Sequence, residues 1–282
     1  RVRYGTKARA EIPDFTDRHD EIGHLSRALR DMTRALYQRI EAIESFAADV
    51  AHELKNPLTS LKSAVETLPL ARTKDDRERL LAIIQQDVSR LNRLITDISD
   101  ASRLDAELAV TDAEPVDVVE LLETVVTLSN EVRRGNQVEV LLTIAKNDNP
   151  GAYFVVGHDI RLGQVVNNLV DNAKSFSEPG GTVRVTARRI RRQVEIVVDD
   201  DGPGIPLENA HRIFERFYTD RGEKEAFGSH SGLGLSISRQ IVEALGGKLW
   251  AENRISTGRP DEGEPAGKVL GARFIVRLPA VS

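Results

Sequence analysis

Residues 21–54 read EIGHLSRALRDMTRALYQRIEAIESFAADVAHEL, and Ile22, Leu25, Leu29, Met32, Leu36, Ile40, Ile43, Ala47, Val50 and Leu54 recur in it at spacings of three and four. A stripe kept up for about nine turns predicts one long amphipathic helix that needs a partner helix. Met32 to Leu36 to Ile40 makes two steps of four in succession. That is a stutter where a coiled coil locally unwinds, although an imperfect amphipathic helix gives the same pattern. The stripe runs on through His52 and Pro57 and fails near Pro69; a second one, Leu80, Ile84, Val88, Leu91, Ile95, Ile98 and Ser102, ends near Leu108. Two long helices joined by a short connection form an α-helical hairpin. Such a hairpin buries little alone, so a dimer closing into a four-helix bundle is its natural completion.

Past a connection at 109–115 the periodicity changes. Residues 118–132 read as a helix, 138–145 and 153–156 as strands, and 159–176 as a helix with Asp159 as N-cap. Two β-rich runs follow, 182–191 and 193–198, then helices over 206–217 and 233–245 and closing strands over 248–253 and 272–278. Helices interleaved with mostly hairpin-connected strands predict an α+β sandwich with its helices on one sheet face. The polar GRPDEGEPAG stretch, 258–267, reads as a loop between the last two strands.

Length and composition set the frame. The 282 residues suit two domains, and 40% hydrophobic residues with 29% charged is ordinary for a folded globular chain. With 39 Lys+Arg against 44 Asp+Glu the net charge is −5, which argues against a general nucleic-acid binder. Cysteine is absent, which removes disulfide scaffolds, thiolate zinc sites and cysteine nucleophiles. No run approaches the roughly 18 apolar residues of a membrane span, and no signal peptide opens the chain.

Four segments could carry chemistry. His52 lies in His-Glu-Leu-Lys-Asn-Pro; zinc chemistry of the HExxH kind is excluded because position 56 is Asn56. A lone helical histidine is usually a solvated or seam-filling residue. Here Glu53 can orient or deprotonate the ring, and Pro57 removes an N–H and invites a bend beside it. A neutral imidazole near pH 7 is a competent nucleophile toward a phosphoryl group. Asn168 and Asn172, four apart, share a helix face among Val165, Val166, Leu169 and Val170. Their carbonyl oxygens suit Mg²⁺ bridging phosphates, or else they are buried amides bonded to nearby backbone. Asp199-Asp200-Asp201-Gly202-Pro203-Gly204 follows a strand and brings backbone close to a flat ligand, with a carboxylate able to accept from an exocyclic amine. Gly228 to Leu235, GSHSGLGL, opens a helix whose first N–H groups form an anion site. It fits neither a Rossmann fingerprint nor a Walker loop. Between the glycine segments lie Ile213 to Tyr218, IFERFY, and a polar stretch, 219–227, with the composition of a lid.

In this order the segments resemble the sensor histidine kinases of two-component systems. FAADVAHELKNPL resembles the H box, NNLVDNA the N box, DDGPG the first glycine box, IFERFY the F box and SGLGLSI the second glycine box. Asp20-Glu-Ile-Gly23 resembles the entry to the second helix of a HAMP signal-transducing module. The strings around His52 and Gly234 are most similar to the ChvG/ExoS-type envelope-stress sensor kinases.

The resemblance implies a partial HAMP segment over 1–40, a dimerisation and histidine-phosphotransfer domain over 41–109, and a Bergerat (GHKL) ATP-binding domain over 110–282. It implies a homodimer that phosphorylates His52 from ATP with Mg²⁺ and passes the phosphoryl group to an aspartate of a response-regulator receiver domain. Glu53 would be the general base, and Asn56 matches the position tied to dephosphorylating the regulator. Asn172 would coordinate Mg²⁺ with Asn168 assisting, and Asp200 would accept from the adenine amine. Gly202, Gly204, Gly232, Leu233 and Gly234 would shape the pocket. The missing first HAMP helix and initiator Met lead us to expect the cytoplasmic part of an inner-membrane receptor. A different GHKL ATPase, or a nucleotide-binding scaffold without phosphotransfer, is the alternative.

Two departures from the family pattern stand out. The family's usual lysine after the N box is Ser175 here, so either Lys174 swings in or another base such as Arg216 contacts phosphate. The second glycine box opens with Ser229-His230-Ser231 in place of Gly-Gly-Thr.

Overall fold

The computed structural model describes residues 14–110, 113–131, 138–149, 151–218, 232–256 and 267–281. The chain divides into two compact units, residues up to Leu58 and residues from Thr59 onward.

The long stripe forms a single α1, Glu21–Thr67. Asp20 starts it: its Oδ1 accepts the Gly23 N–H at 3.1 Å, satisfying one of the orphan donors of the first turn. Gly23 is required by a close approach, since a Cβ there would lie 2.0 Å from the Arg18 carbonyl oxygen. Pro57 is buried inside the helix, which continues past it. A single 3₁₀ turn, Leu68–Leu70, and a short connection lead to α2, Lys74–Val110. Thr73 caps α2 reciprocally: its Oγ1 accepts from the Asp76 N–H at 3.0 Å and donates to the Asp76 carboxylate at 2.6 Å.

The second unit carries a five-stranded mixed sheet in the order β2-β4-β5-β7-β6, with β2 Glu139–Ile144, β4 Thr182–Ile190, β5 Gln193–Asp199, β6 Lys248–Ile255 and β7 Val269–Pro279. Among the described residues only β2 and β4 run parallel. A separate antiparallel pair joins β1, Glu114–Asp117, to β3, Phe154–Gly157. The helices α3 Val118–Glu131, α4 Asp159–Phe176 and α5 Gly234–Ala244 contribute the apolar side chains that bury against the sheet, among them Leu122, Val165, Leu169, Ile237 and Ile241, each at most 1% exposed. Asn130 pins α3 to the edge strand: its amide gives one hydrogen bond to the Val140 carbonyl and takes one from its N–H, at 2.9 and 3.1 Å. Near the end of α2, Asp100 accepts from Gln164 Nε2 on α4 at 3.0 Å.

Three local expectations change. Residues 206–217 form no α-helix; Pro206 leads into two 3₁₀ turns, Leu207–Asn209 and Arg212–Phe214, and tertiary contacts override the local pattern, with Phe214 packed on Phe274 and Phe217 held at φ +61° by its bond to the Gly232 carbonyl. The N-cap of α4 is His158, which is extended and makes no side-chain capping bond, and Asp159 is the first helical residue. Strand β1 occupies part of the stretch read as a connection, where four residues gave too little alternation to register.

Candidate functional site

The DDDGPG segment is fixed from several sides. Asp200, 1% exposed, accepts through Oδ1 from the N–H groups of Gly202 and Ala272 at 2.9 and 2.8 Å. Two donors on one oxygen orient the carboxylate and leave Oδ2 without a partner among the described residues. Burial pushes the Asp200 carboxyl above its ordinary value, against those two N–H bonds and the charge of Arg254. The backbone must pass close to its neighbours. A Cβ on Gly202 would lie 2.7 Å from the Phe176 carbonyl oxygen. One on Gly271, at φ +145°, would lie 2.0 Å from that of Asp200.

The second glycine segment is held to the aromatic one. Phe217, at φ +61°, donates its N–H to the Gly232 carbonyl at 2.9 Å, and Gly232 itself sits at φ +72°. Phe214 is buried, edge-on to Phe274 with ring centroids 6.4 Å apart, so this aromatic is packing. Arg216 is exposed on the same segment. Leu233, fully buried, is the N-cap of α5, and its own side chain makes no capping bond. The N-terminus of a helix such as α5 suits an anionic ligand.

Helix α4 links the two loops. Asn168 Nδ2 donates to the Gly234 carbonyl at 3.1 Å and to Ser238 Oγ at 3.3 Å, locking the start of α5, while Phe176 at the other end abuts Gly202. Eight residues of helix separate those contacts, about 12 Å. Asn172 lies midway, half-buried, and its side-chain amide has no hydrogen-bond partner among the described residues. An unpartnered hard oxygen there fits Mg²⁺ with phosphates. Lys174 points elsewhere: its Nζ donates to Ser129 O and Oγ at 2.9 and 3.1 Å, a cation on the last carbonyls of α3. Of the two alternatives for the missing lysine, Lys174 is thus engaged at the end of α3. Ser175 Oγ donates to the Asn172 carbonyl at 2.7 Å.

His52 is exposed on α1, Glu53 is half-buried one residue on, and Asn56 is exposed a turn later. Ser229, His230, Ser231 and the 219–227 stretch lie outside the described residues.

Residues 42–107 match the His Kinase A (phospho-acceptor) domain, and residues 157–282 match the family described as histidine kinase-, DNA gyrase B-, and HSP90-like ATPase. The chain belongs to the sensor histidine kinases. It is 57% identical to the sensor protein ChvG of Rhizobium meliloti over 282 residues, covering 99% of this chain and 47% of that one. With ChvG of Agrobacterium fabrum it shares 55% identity over 99% of this chain and 46% of the relative. The chain thus spans about half the length of the curated relatives it matches. Among solved structures, the histidine kinase ThkA in complex with the response regulator TrrA aligns with TM-score 0.66 and 26% identity, over 93% of this chain and 68% of that one. The expected ChvG/ExoS-type kinase and its GHKL domain are borne out. No helix among the described residues is long and apolar enough to cross a membrane.

In this chain the sequence boxes name the loops, but several residues that hold them fall outside every box. Asn253, Arg254 and Ala272 contact the first glycine segment from β6 and β7. A faint signal for the first two was an Asn-Arg pair in a strand, where asparagine is disfavoured.

Proposed function

We propose that this chain is the cytoplasmic portion of a membrane-anchored receptor kinase that phosphorylates its own His52 from ATP and then passes the phosphoryl group to an aspartate of a response regulator. The boundaries 1–40, 41–109 and 110–282 divide it into HAMP segment, phosphotransfer domain and ATP-binding domain. A homodimer is supported by the apolar stripe of α1, where Leu25, Met32, Leu36 and Ile43 are each more than half exposed in the single chain.

The single observation that carries the reading is a carboxylate, Asp200, buried and oriented by two backbone donors, on the same chain as an exposed His52 with Glu53 beside it in a phospho-acceptor domain. The second oxygen of Asp200 accepts the adenine amine, and the start of α5 at Gly232, Leu233 and Gly234 receives the phosphates. Gly202 and Gly204 let the backbone approach the base, and Arg216 answers the phosphate charge that the missing lysine would have met. Asn172 would hold Mg²⁺ with Asn168 assisting, and the ion would supply neutralisation of phosphate charge. The His52 ring nitrogen attacks the γ-phosphorus in line, a P–N bond forms as the bond to the ADP oxygen breaks, and Glu53 takes the imidazole proton. Asn56 positions water for removal of the phosphoryl group from the regulator.

Labelled ATP should give an acid-labile, base-stable phosphoprotein that transfers its label to a receiver domain. His52→Gln should abolish the label with ATP binding intact; label that survives this change refutes the assignment.

A further inference from the structure

Two adjacent residues of β6 that belong to no motif hold the nucleotide loop at both ends. Arg254 Nη1 donates to the Asp200 carbonyl and, at 2.8 Å, to Asp201 Oδ1, from a side chain only 17% exposed. Asn253 takes the other end, with Oδ1 accepting from the Ile205 N–H at 2.7 Å and Nδ2 donating to the Ile205 carbonyl at 2.8 Å. An amide bonded to both backbone groups of one residue fixes that residue much as a neighbouring strand would. Asn253 also lies beneath Gly204, where a Cβ would come within 2.8 Å of its Oδ1. Glycine at 204 is therefore demanded by Asn253 as well as by its φ of +81°. Gly271, which faces Arg254 in the β6–β7 register, leaves the space in which Asp200 sits.

Resting on the reading of Asp200 as acceptor for the adenine amine, we infer that Asn253 and Arg254 are positioning residues that set base selectivity, fixing the Asp200 carboxylate so that it takes a 6-amino purine and rejects a 6-oxo one. Acceptor facing acceptor discriminates only if neither can retreat. A loop free to tilt would let the carboxylate swing away from a 6-oxo group, and the rejection would fade. With the chain held at the Asp200 carbonyl, at Asp201 and at Ile205, the carboxylate between them has no such freedom. Asp201 is gripped a second time by Arg184, at 2.7 Å, so losing Arg254 loosens the loop without releasing it.

The test uses the full 282-residue chain and measures equilibrium binding of ATP and of inosine triphosphate, whose base carries oxygen in place of the amine, together with thermal unfolding. Arg254→Gln and Asn253→Asp should each weaken ATP binding about five-fold, the scale of one lost hydrogen bond, and shrink the ATP-to-inosine-triphosphate ratio by a similar factor. In the autophosphorylation assay the loss should fall on KM rather than kcat. Arg254→Lys should recover part of the ratio, because an ammonium reaches one of the two acceptors. Equal weakening of both nucleotides, with the parent ratio retained, overturns the inference and leaves the pair a purely structural role. Asp200→Asn separates the two readings. If it leaves the ratio unchanged, the assignment of Asp200 itself fails. If it collapses the ratio while Arg254→Gln and Asn253→Asp preserve it, only the positioning role fails. Should Asn253→Asp not fold, the contrast of Arg254→Gln with Arg254→Lys decides.

Discussion

Helices α1 and α4 carry the same sequence signal and meet opposite fates in the single chain. In α4, Leu162, Val165, Val166, Leu169 and Val170 are at most 3% exposed. In α1, Ile22, Leu25, Met32, Leu36 and Ile43 are at least 51% exposed. Spacing of three and four says that a face must be covered and is silent on what covers it. The sheet of the same chain covers α4. For the seam of α1 the residues of its own unit do not suffice, and the dimer proposed above supplies the missing surface.

The largest effect should come from breaking the covered stripe. Leu169 is fully buried, so Leu169→Ala should cost about 3 to 5 kcal/mol, the range for a leucine cavity that cannot collapse. Urea unfolding of the ATP-binding domain reads this directly. A loss below about 1 kcal/mol would mean that the core repacks around the gap, and the contrast with α1 would weaken.

A charge on the open stripe should act on association instead. Leu36, 56% exposed, should tolerate Leu36→Glu with no change in unfolding of the ATP-binding domain. Because a two-fold dimer carries the change twice, dimer affinity should fall on the order of 100-fold. Sedimentation equilibrium measures it; an unchanged dimer would place the interface away from this stripe.

The contrast also explains how much was legible beforehand. Long periodic segments such as Glu21–Thr67 and Asp159–Phe176 were readable because the apolar period is a property of the element itself. The glycine boxes were readable as close-approach turns, and Asp200 as the carboxylate within one. What escaped were partners brought in from far along the chain. Ala272 meets Asp200 across 72 positions, and Asn253 meets Ile205 across 48. Nothing local marks a backbone N–H on β7 as a ligand of a carboxylate on the loop after β5. Likewise Lys174, one place from the expected lysine, is drawn to the end of α3 by a contact 45 positions away. Helix 206–217 failed for the same reason, since its local pattern looked adequate while Phe274 and Gly232, distant in sequence, fixed Phe214 and Phe217.

The smallest effects repeat the contrast between covered and open groups inside a single loop. Burial pushes Asp200 above the ordinary value of 3.8, more than the Ala272 and Gly202 N–H bonds and the charge of Arg254 pull it back. Burial also pushes Asp201 upward, but the bonds from Arg184 and Arg254, the Arg184 charge and the Thr182 N–H outweigh it and hold that carboxyl below 3.8. A lowered acid adds stability that is complete above its unfolded value and fades as pH falls through the folded one. A raised acid does the reverse, adding stability below 3.8 that is lost as pH rises through its folded value. Asp201→Asn should therefore cost about 1 kcal/mol or less near neutrality, the scale of partly exposed ion pairs, and that deficit should shrink as pH drops below 3.8. Asp200→Asn should gain on the parent chain as pH climbs above 3.8, because the amide escapes the cost of a buried charge. Thermal unfolding of both variants between about pH 3 and 7 compares the two slopes. Slopes of the same sign would mean that burial is not what separates these neighbouring carboxylates, and that the arginines around Asp201 reach Asp200 with equal force.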